Sequence, residues 1–101
     1  MYVTKDINKV ILGGTVINTP ELRTTGNGTK VTNFVLQTVS EIPHGDAVVR
    51  MHKIIGWGQV AQEIVSSIAV GQRVTVEGEL TYHNDKDGVM VAEIKAYRLF
   101  I

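Results

Sequence analysis

The stretch from Arg50 to Ile68 constrains the fold most, because it predicts a β-strand that turns directly into a helix at Gly58. Successive residues of a strand face opposite sides of a sheet. This alternation puts four side chains on one face: Met51, Lys53, Ile55 and Trp57. A cation beside flat, apolar groups can pair with a phosphate while a base stacks on the indole. The alternative is that Trp57 fills the core and Lys53 only extends along it to solvent.

Length and composition set the first limits. The chain has 101 residues, enough for one compact domain over 1–101 but not for two. Hydrophobic residues make up 44% of it, which is enough to build a core. It contains no cysteine, which excludes disulfides and suits a reducing cytosol. Because the opening M-Y-V-T-K-D-I-N-K also has no apolar run of the signal-peptide kind, we expect a cytoplasmic protein.

Charge is balanced overall but not along the chain. The formal net charge is zero, so there is no global basic field to attract nucleic acid. Residues 1–58 contain six Lys or Arg and four Asp or Glu, whereas residues 59–101 contain four and six. This asymmetry places any anion-binding surface in the first half of the chain.

The hydrophobic patterns predict five long strands and one helix. The strands cover Asn8–Thr19, Lys30–Ser40, Ala47–Trp57, Arg73–Tyr82 and Val89–Ile101. An amphipathic helix over Gln59–Ile68 lies between the third and fourth, and Leu22–Thr24 is a short extended segment. Gly13-Gly14 indicates a bend or close backbone approach, and a phase slip before Tyr97 indicates a bulge. This order predicts an all-β OB-fold, a five-stranded Greek-key barrel, although a five-stranded sandwich has the same order.

Residues that carry catalysis or bind metals do not occur at the spacings these functions need. His44, His52 and His83 are far apart and have no carboxylate at ligand spacing. The sequence has no G-x-S-x-G motif, phosphate-binding loop or dinucleotide fingerprint. We therefore expect neither an enzyme, nor a metal site, nor a cofactor.

Over Asn8–Thr38 and His52–Leu80, the chain carries a series of short motifs in a fixed order. They are N-K-V-I-L-G-G-T-V, P-E-L-R, N-G, F-V-L-Q-T, H-K-I-I-G-W-G-Q-V-A and G-Q-R-V-T-V-E-G-E-L. In order and spacing, this set resembles the DNA-binding domain of bacterial single-stranded DNA-binding proteins. The resemblance implies an OB-fold that binds single-stranded DNA without sequence preference, by stacking and phosphate contacts, in replication, recombination and repair.

The resemblance also assigns roles to four residues. Trp57 stands where the family has a base-stacking phenylalanine, and Lys53 stands where it commonly has a basic residue. Arg23 completes P-E-L-R, a phosphate contact of the family, and Lys9 matches the lysine of N-K-V. For Lys53 and Trp57, this agrees with their shared strand face.

Four further candidate contacts come from the residues themselves. Met51 shares the face of Lys53, although many family members have a stacking tryptophan there. Lys30 adds a cation at the start of the second long strand. Tyr82 and His83 are the only possible stacking residues in the short hairpin between the last two strands, so we expect contact there.

The end of the chain departs from the family, because Ile101 is followed by neither a glycine- and proline-rich linker nor an acidic terminal peptide. Three explanations are open. The chain is a shortened family member, a minimal version from a phage, plasmid or organelle, or a relative of the primosomal replication proteins. In the last case it is an OB-fold adapter that acts mainly through protein contacts. The resemblance implies a nucleoid-associated homo-oligomer, a tetramer rather than a dimer, and we expect Tyr2–Ile7 to add a strand.

Overall fold

The computed structural model describes residues 5–101, and their elements follow the predicted order. The strands are β1 (Val10–Val16), β2 (Arg23–Thr24), β3 (Lys30–Glu41), β4 (Ala47–Trp57), β5 (Arg73–Asn84) and β6 (Met90–Phe100). The helix α1 (Gly58–Ser67) joins β4 to β5. The two-residue β2 is the short extended segment, so the helix lies between the third and fourth of the five long strands, as predicted.

The strands close into a barrel because β1 pairs with two different neighbours. It pairs antiparallel with β5 along most of its length, and near its end Val16 lies opposite Leu36 of β3. A Cβ atom on Gly14 would lie 2.1 Å from the carbonyl oxygen of Gln37, so only glycine allows these two backbones to approach. β4 and β6 complete the barrel through a short parallel pairing. The predicted five-stranded Greek-key barrel is confirmed.

The central core is formed by even-numbered strand residues, because alternate side chains of a strand face the interior. The buried cluster at the centre of the barrel contains eight strand residues: Val16, Phe34, Leu36, Ile54, Val74, Val76, Ile94 and Ala96. All are even-numbered, and Ile64 of α1 packs among them. The odd-numbered side chains of β3 and β4 therefore lie on the opposite face of the sheet, which fixes the face of Lys53 and Trp57.

β1 is shorter than the predicted strand because asparagine side chains replace backbone partners at both ends. Asn8 donates its amide to the Leu80 carbonyl and accepts the Leu80 N–H, both at 2.9 Å. At the other end, Asn18 accepts the backbone N–H of Val35 at 2.7 Å. Both residues thus extend the pairing of β1 without being part of its backbone ladder.

The hairpin between β5 and β6 differs from the prediction, because β5 continues two residues beyond Tyr82 to Asn84. Asp85 closes the turn that follows. One of its carboxylate oxygens accepts the backbone N–H groups of Asp87 and Val89, each at 2.9 Å. The turn is therefore shorter and better hydrogen-bonded than the polar sequence alone indicated.

The bulge predicted near the end of the chain is present in β6. The register shifts between Glu77 and Gly78, whose partners are Arg98 and Ala96, and Tyr97 has no partner in this ladder. The inward phase of the strand changes at this point.

Half of the expected extra strand over Tyr2–Ile7 lies outside the described residues. Its described part, Lys5 to Ile7, lies exposed ahead of β1 and outside any strand. Within residues 5–101, no helix has the length and apolar character needed to cross a membrane.

Candidate nucleic-acid interface

An open groove of about 320 Å³ crosses the outer face of the barrel where β2, β3 and β4 approach the β5–β6 hairpin. Its lining residues are Arg23, Asn33, Lys53, Ile55, Trp57, His83 and Glu93. Four of the residues predicted to contact DNA are among them: Arg23, Lys53, Trp57 and His83. The groove thus joins two cations, an indole and an imidazole from three different strands, β2, β4 and β5.

Trp57 is 41% exposed, whereas Ile54 on the same strand is fully buried. The alternative in which the indole fills the core is therefore wrong. Trp57 ends β4 in an extended conformation, and Gly58 takes a φ of 59° as the chain enters α1. A Cβ on Gly56 would lie 2.5 Å from a methyl group of Ile64, so the helix packs tightly below this strand end. These constraints hold the indole at the groove.

Arg23 reaches the groove through the pairing of three strands. Val31 of β3 lies opposite Arg23 on one side and opposite Trp57 on the other. Because neighbouring strands are about 4.8 Å apart, the Arg23 and Trp57 backbones are about 10 Å apart on the same face. An exposed guanidinium and an exposed indole at this separation can contact the backbone and a base of one nucleic-acid strand.

Lys53, Glu93 and His83 form a charged cluster on the floor of the groove. Nζ of Lys53 lies 3.8 Å from Oε2 of Glu93, and Nδ1 of His83 lies 3.2 Å from its Oε1. The Glu93 side chain is 8% exposed, and its Oε2 has no hydrogen-bond partner among the residues that the structure describes. The carboxylate thus lies between an imidazole at hydrogen-bond distance and an ammonium group beyond it.

Two further grooves share residues with this one. A groove of about 290 Å³ beside β2 shares Arg23 and Asn33 with it. On the other side, a groove of about 160 Å³ is lined by Met51 and shares Lys53 and Glu93. These shared residues link the three grooves into one track across the barrel, which suits an extended polymer better than one small ligand.

The remaining predicted contacts lie apart from the Trp57 groove. Tyr82 is exposed but faces the opposite side of β5 from His83, because adjacent strand residues alternate. The Lys30 ammonium donates a hydrogen bond to the Thr24 hydroxyl at 2.8 Å, across the β2–β3 hairpin. Lys9 is exposed just ahead of β1 and does not line this groove.

The predicted DNA contacts did not include three lining residues, Asn33, Ile55 and Glu93. Alternation already puts Ile55 on the face of Lys53, and Asn33 stands out as a polar residue in an apolar strand. Glu93 is a lone carboxylate in the apolar run V-M-V-A-E-I, which is the signal that could have identified it. Its position beside Lys53 depends on the parallel pairing of β4 with β6, which no local pattern predicts.

Comparison with known proteins finds two kinds of relative. A Chlorobaculum tepidum protein, single-stranded DNA-binding protein 1, is 32% identical over 82 residues, or 77% of this chain and 51% of that protein. This chain therefore spans about half the length of that relative. The replication restart protein PriB of Escherichia coli O1:K1 is 36% identical over 86 residues, covering 81% of this chain and 82% of PriB.

Comparison with solved structures supports the barrel fold described above. The crystal structure of the SSB domain of a Synechococcus sp. protein superposes with a TM-score of 0.74 at 28% sequence identity. The match covers 96% of this chain and 98% of that domain. A model of the single-strand binding protein family also matches residues 7–99. The chain belongs to the single-strand binding protein family.

Proposed function

We propose that this protein binds and protects single-stranded DNA without sequence preference, in replication, recombination and repair. The observation that carries the proposal is the groove in which Arg23, Lys53 and Trp57 lie side by side. Stacking on an aromatic side chain tolerates any base, because every base has a π-face, and cations beside it contact the phosphates. We place this work in the cytoplasm, on the nucleoid.

The track on either side of Trp57 supports a polymer ligand. Arg23 and Lys53 each line two neighbouring grooves, so a bound strand can pass from one groove to the next while keeping a cation near its backbone. Met51 lies further along β4 as an exposed, polarisable contact. Because the formal net charge is zero and Glu93 lies in the groove, affinity rests on these local contacts and is modest.

The remaining candidate contacts have secondary roles in this proposal. His83 stacks or pairs at the groove edge, and Tyr82 contacts DNA that continues around the other side of the hairpin. Lys30 and Lys9 add cations outside the groove, and both stay close to the strands that form it.

We also propose that the protein is a homo-oligomer, a tetramer in preference to a dimer. Exposed apolar side chains on the outer face of the barrel, among them Ile11, Phe100 and Ile101, support this. Exposed apolar side chains of this kind are typical of surfaces that bind another chain. Light scattering at micromolar concentration should report about four chains per particle. A monomer would contradict the proposal.

A second function is an adapter in replication restart that acts mainly through protein contacts. The match to the E. coli protein PriB favours it, since it covers 82% of that protein's length. Exposed apolar side chains at the ends of both long hairpins also favour it: Val39, Ile42, Val49, Val89 and Met90. None of these residues lines the groove of Trp57, so a protein partner and DNA do not have to compete for that groove.

A fluorescence titration separates the two functions, because Trp57 is the only tryptophan of the chain. Adding oligo(dT) to the intact protein should quench the indole and saturate if single-strand binding is its function. Duplex DNA of the same length serves as the control and should cause little quenching. If oligo(dT) leaves the fluorescence unchanged at high protein concentration, the adapter function is the better account.

A further inference from the structure

We propose that Glu93 gives the groove a preference for bases that carry an exocyclic amino group, cytosine above all, over thymine or uracil. This inference rests on the proposed function, because it concerns the base that stacks near Trp57. It concerns the composition of the bound strand and not its sequence, so it adds a bias to an otherwise tolerant site.

Glu93 is placed to receive a donor from a bound base. It is 8% exposed, and it lines both the groove of Trp57 and the neighbouring groove of Met51. Its Oε2 has no hydrogen-bond partner within the part of the chain that the structure describes. A buried carboxylate oxygen left without a donor is costly, and a ligand that supplies one regains that free energy.

The two neighbours of Glu93 differ in how firmly they hold it. His83 is at hydrogen-bond distance from Oε1, whereas the Lys53 ammonium is 3.8 Å from Oε2, beyond that distance. The Lys53 side chain is 39% exposed and flexible, so it can turn to a phosphate of a bound strand. Oε2 is shielded from solvent in the unbound protein, so this movement is what opens it to a base in the groove.

The chemistry of the bases then decides which one is favoured. Carboxylates accept hydrogen bonds from the N4 amino group of cytosine, and adenine and guanine also carry amino groups. Thymine and uracil present a carbonyl oxygen at the position of the cytosine amino group. The carbonyl oxygen repels Oε2, and the one donor on this edge of thymine and uracil, N3–H, lies one ring position away. A base held with its 4-position at Oε2 therefore loses the stabilisation that cytosine gains.

The test compares oligo(dC) with oligo(dU), which share a pyrimidine ring and differ in the groups that pair. Binding to the full-length protein is measured at mildly alkaline pH, where cytosine stays neutral. The wild-type protein should bind oligo(dC) about three- to tenfold more tightly, the range expected of one added hydrogen bond. Glu93→Gln keeps the shape but adds an N–H donor that can pair with the uracil carbonyl, so the ratio should fall to about one or reverse.

Removing a negative charge from the groove should strengthen binding to every oligonucleotide, so the ratio of affinities is the informative quantity. Glu63→Gln on α1 removes the same charge away from the groove and should leave the ratio unchanged. Equal wild-type affinity for the two oligonucleotides, or the same ratio in wild type and Glu93→Gln, would overturn the inference while single-strand binding stands. Failure of the wild-type protein to bind either oligonucleotide would instead overturn the proposed function and, with it, this inference.

Discussion

The Lys53 ammonium lies 3.8 Å from Oε2 of Glu93, across two strands that are parallel and forty residues apart in the chain. In an open groove, this pair reduces the positive charge that a phosphate would meet. A bound strand must therefore compete with Glu93 for the cation, which makes binding weaker but keeps the groove from attracting every polyanion.

Binding should depend on salt to a limited extent. Four candidate cations (Lys9, Arg23, Lys30 and Lys53) predict a slope of log affinity against log salt of roughly −3, at about −0.7 per neutralised phosphate. Arg23→Ala and Lys53→Ala should each make the slope shallower by about 0.7, because both line the groove. Lys86→Ala in the β5–β6 turn is the matched control and should not alter it. Salt-independent binding of oligo(dT) would show that these residues do not meet phosphates.

The closure of the barrel at Gly14 should be sensitive to a single methyl group. Gly14→Ala places a Cβ against the Gln37 carbonyl oxygen and should lower the free energy of unfolding by about 1–3 kcal/mol or prevent folding. Gly13→Ala is the control, because its Cβ would meet only the Thr75 hydroxyl at 3.3 Å. Urea denaturation of both variants measures the difference. Equal stability of the two would contradict the close approach of β1 and β3.

Tyr82 should contribute to binding through its ring. Tyr82→Ala should weaken oligo(dT) binding by about 1–3 kcal/mol, the usual range for stacking, and Tyr82→Phe should have little effect. Replacing Lys86 and Asp87 together by Ser and Gly, with Asp85 kept to close the turn, should leave affinity nearly unchanged. An unchanged affinity of the folded Tyr82→Ala variant would place the bound strand on the His83 side of the hairpin alone.

Tyr97 should give stability a pH dependence in the alkaline range. Hydrogen bonding to Glu79, followed by partial burial and the Glu79 charge, raises the pKa of the Tyr97 phenol above its usual 10.0. The folded state therefore holds this proton more firmly, and the stabilisation is complete below pH 10.0 and is lost as pH rises through the raised pKa. Tyr97→Phe should remove this part of the fall in unfolding free energy. Identical pH profiles of the two proteins would contradict the assignment.

Much of the barrel could be predicted from local patterns, because strand alternation and turn residues act over a few positions. The bounds of β4 match the prediction at both ends, and the shared face of Lys53 and Trp57 follows from alternation alone. The same principle separates Tyr82 from His83, which were expected to act together at the base of one hairpin. Their opposite faces follow once β5 is seen to continue through both residues.

Contacts between segments that are distant in the chain could not be predicted from the sequence. Glu93 reaches Lys53 only because β6 lies parallel to β4, and this pairing has no local signal. The ends of β1 differ for another reason, since Asn8 and Asn18 pair through their side chains at positions that look like strand by composition. The tertiary arrangement, and not local propensity, decides these positions.

The role of Trp57 tests the account most directly, because the groove is built around its indole. Affinity for a labelled oligo(dT) is measured by fluorescence anisotropy for the wild type, Trp57→Phe and Trp57→Ala, with circular dichroism confirming that each is folded. Trp57→Phe should retain most of the affinity, since a phenyl ring still stacks, whereas Trp57→Ala should lose about 1–3 kcal/mol. Undiminished binding by folded Trp57→Ala would contradict base stacking at this groove.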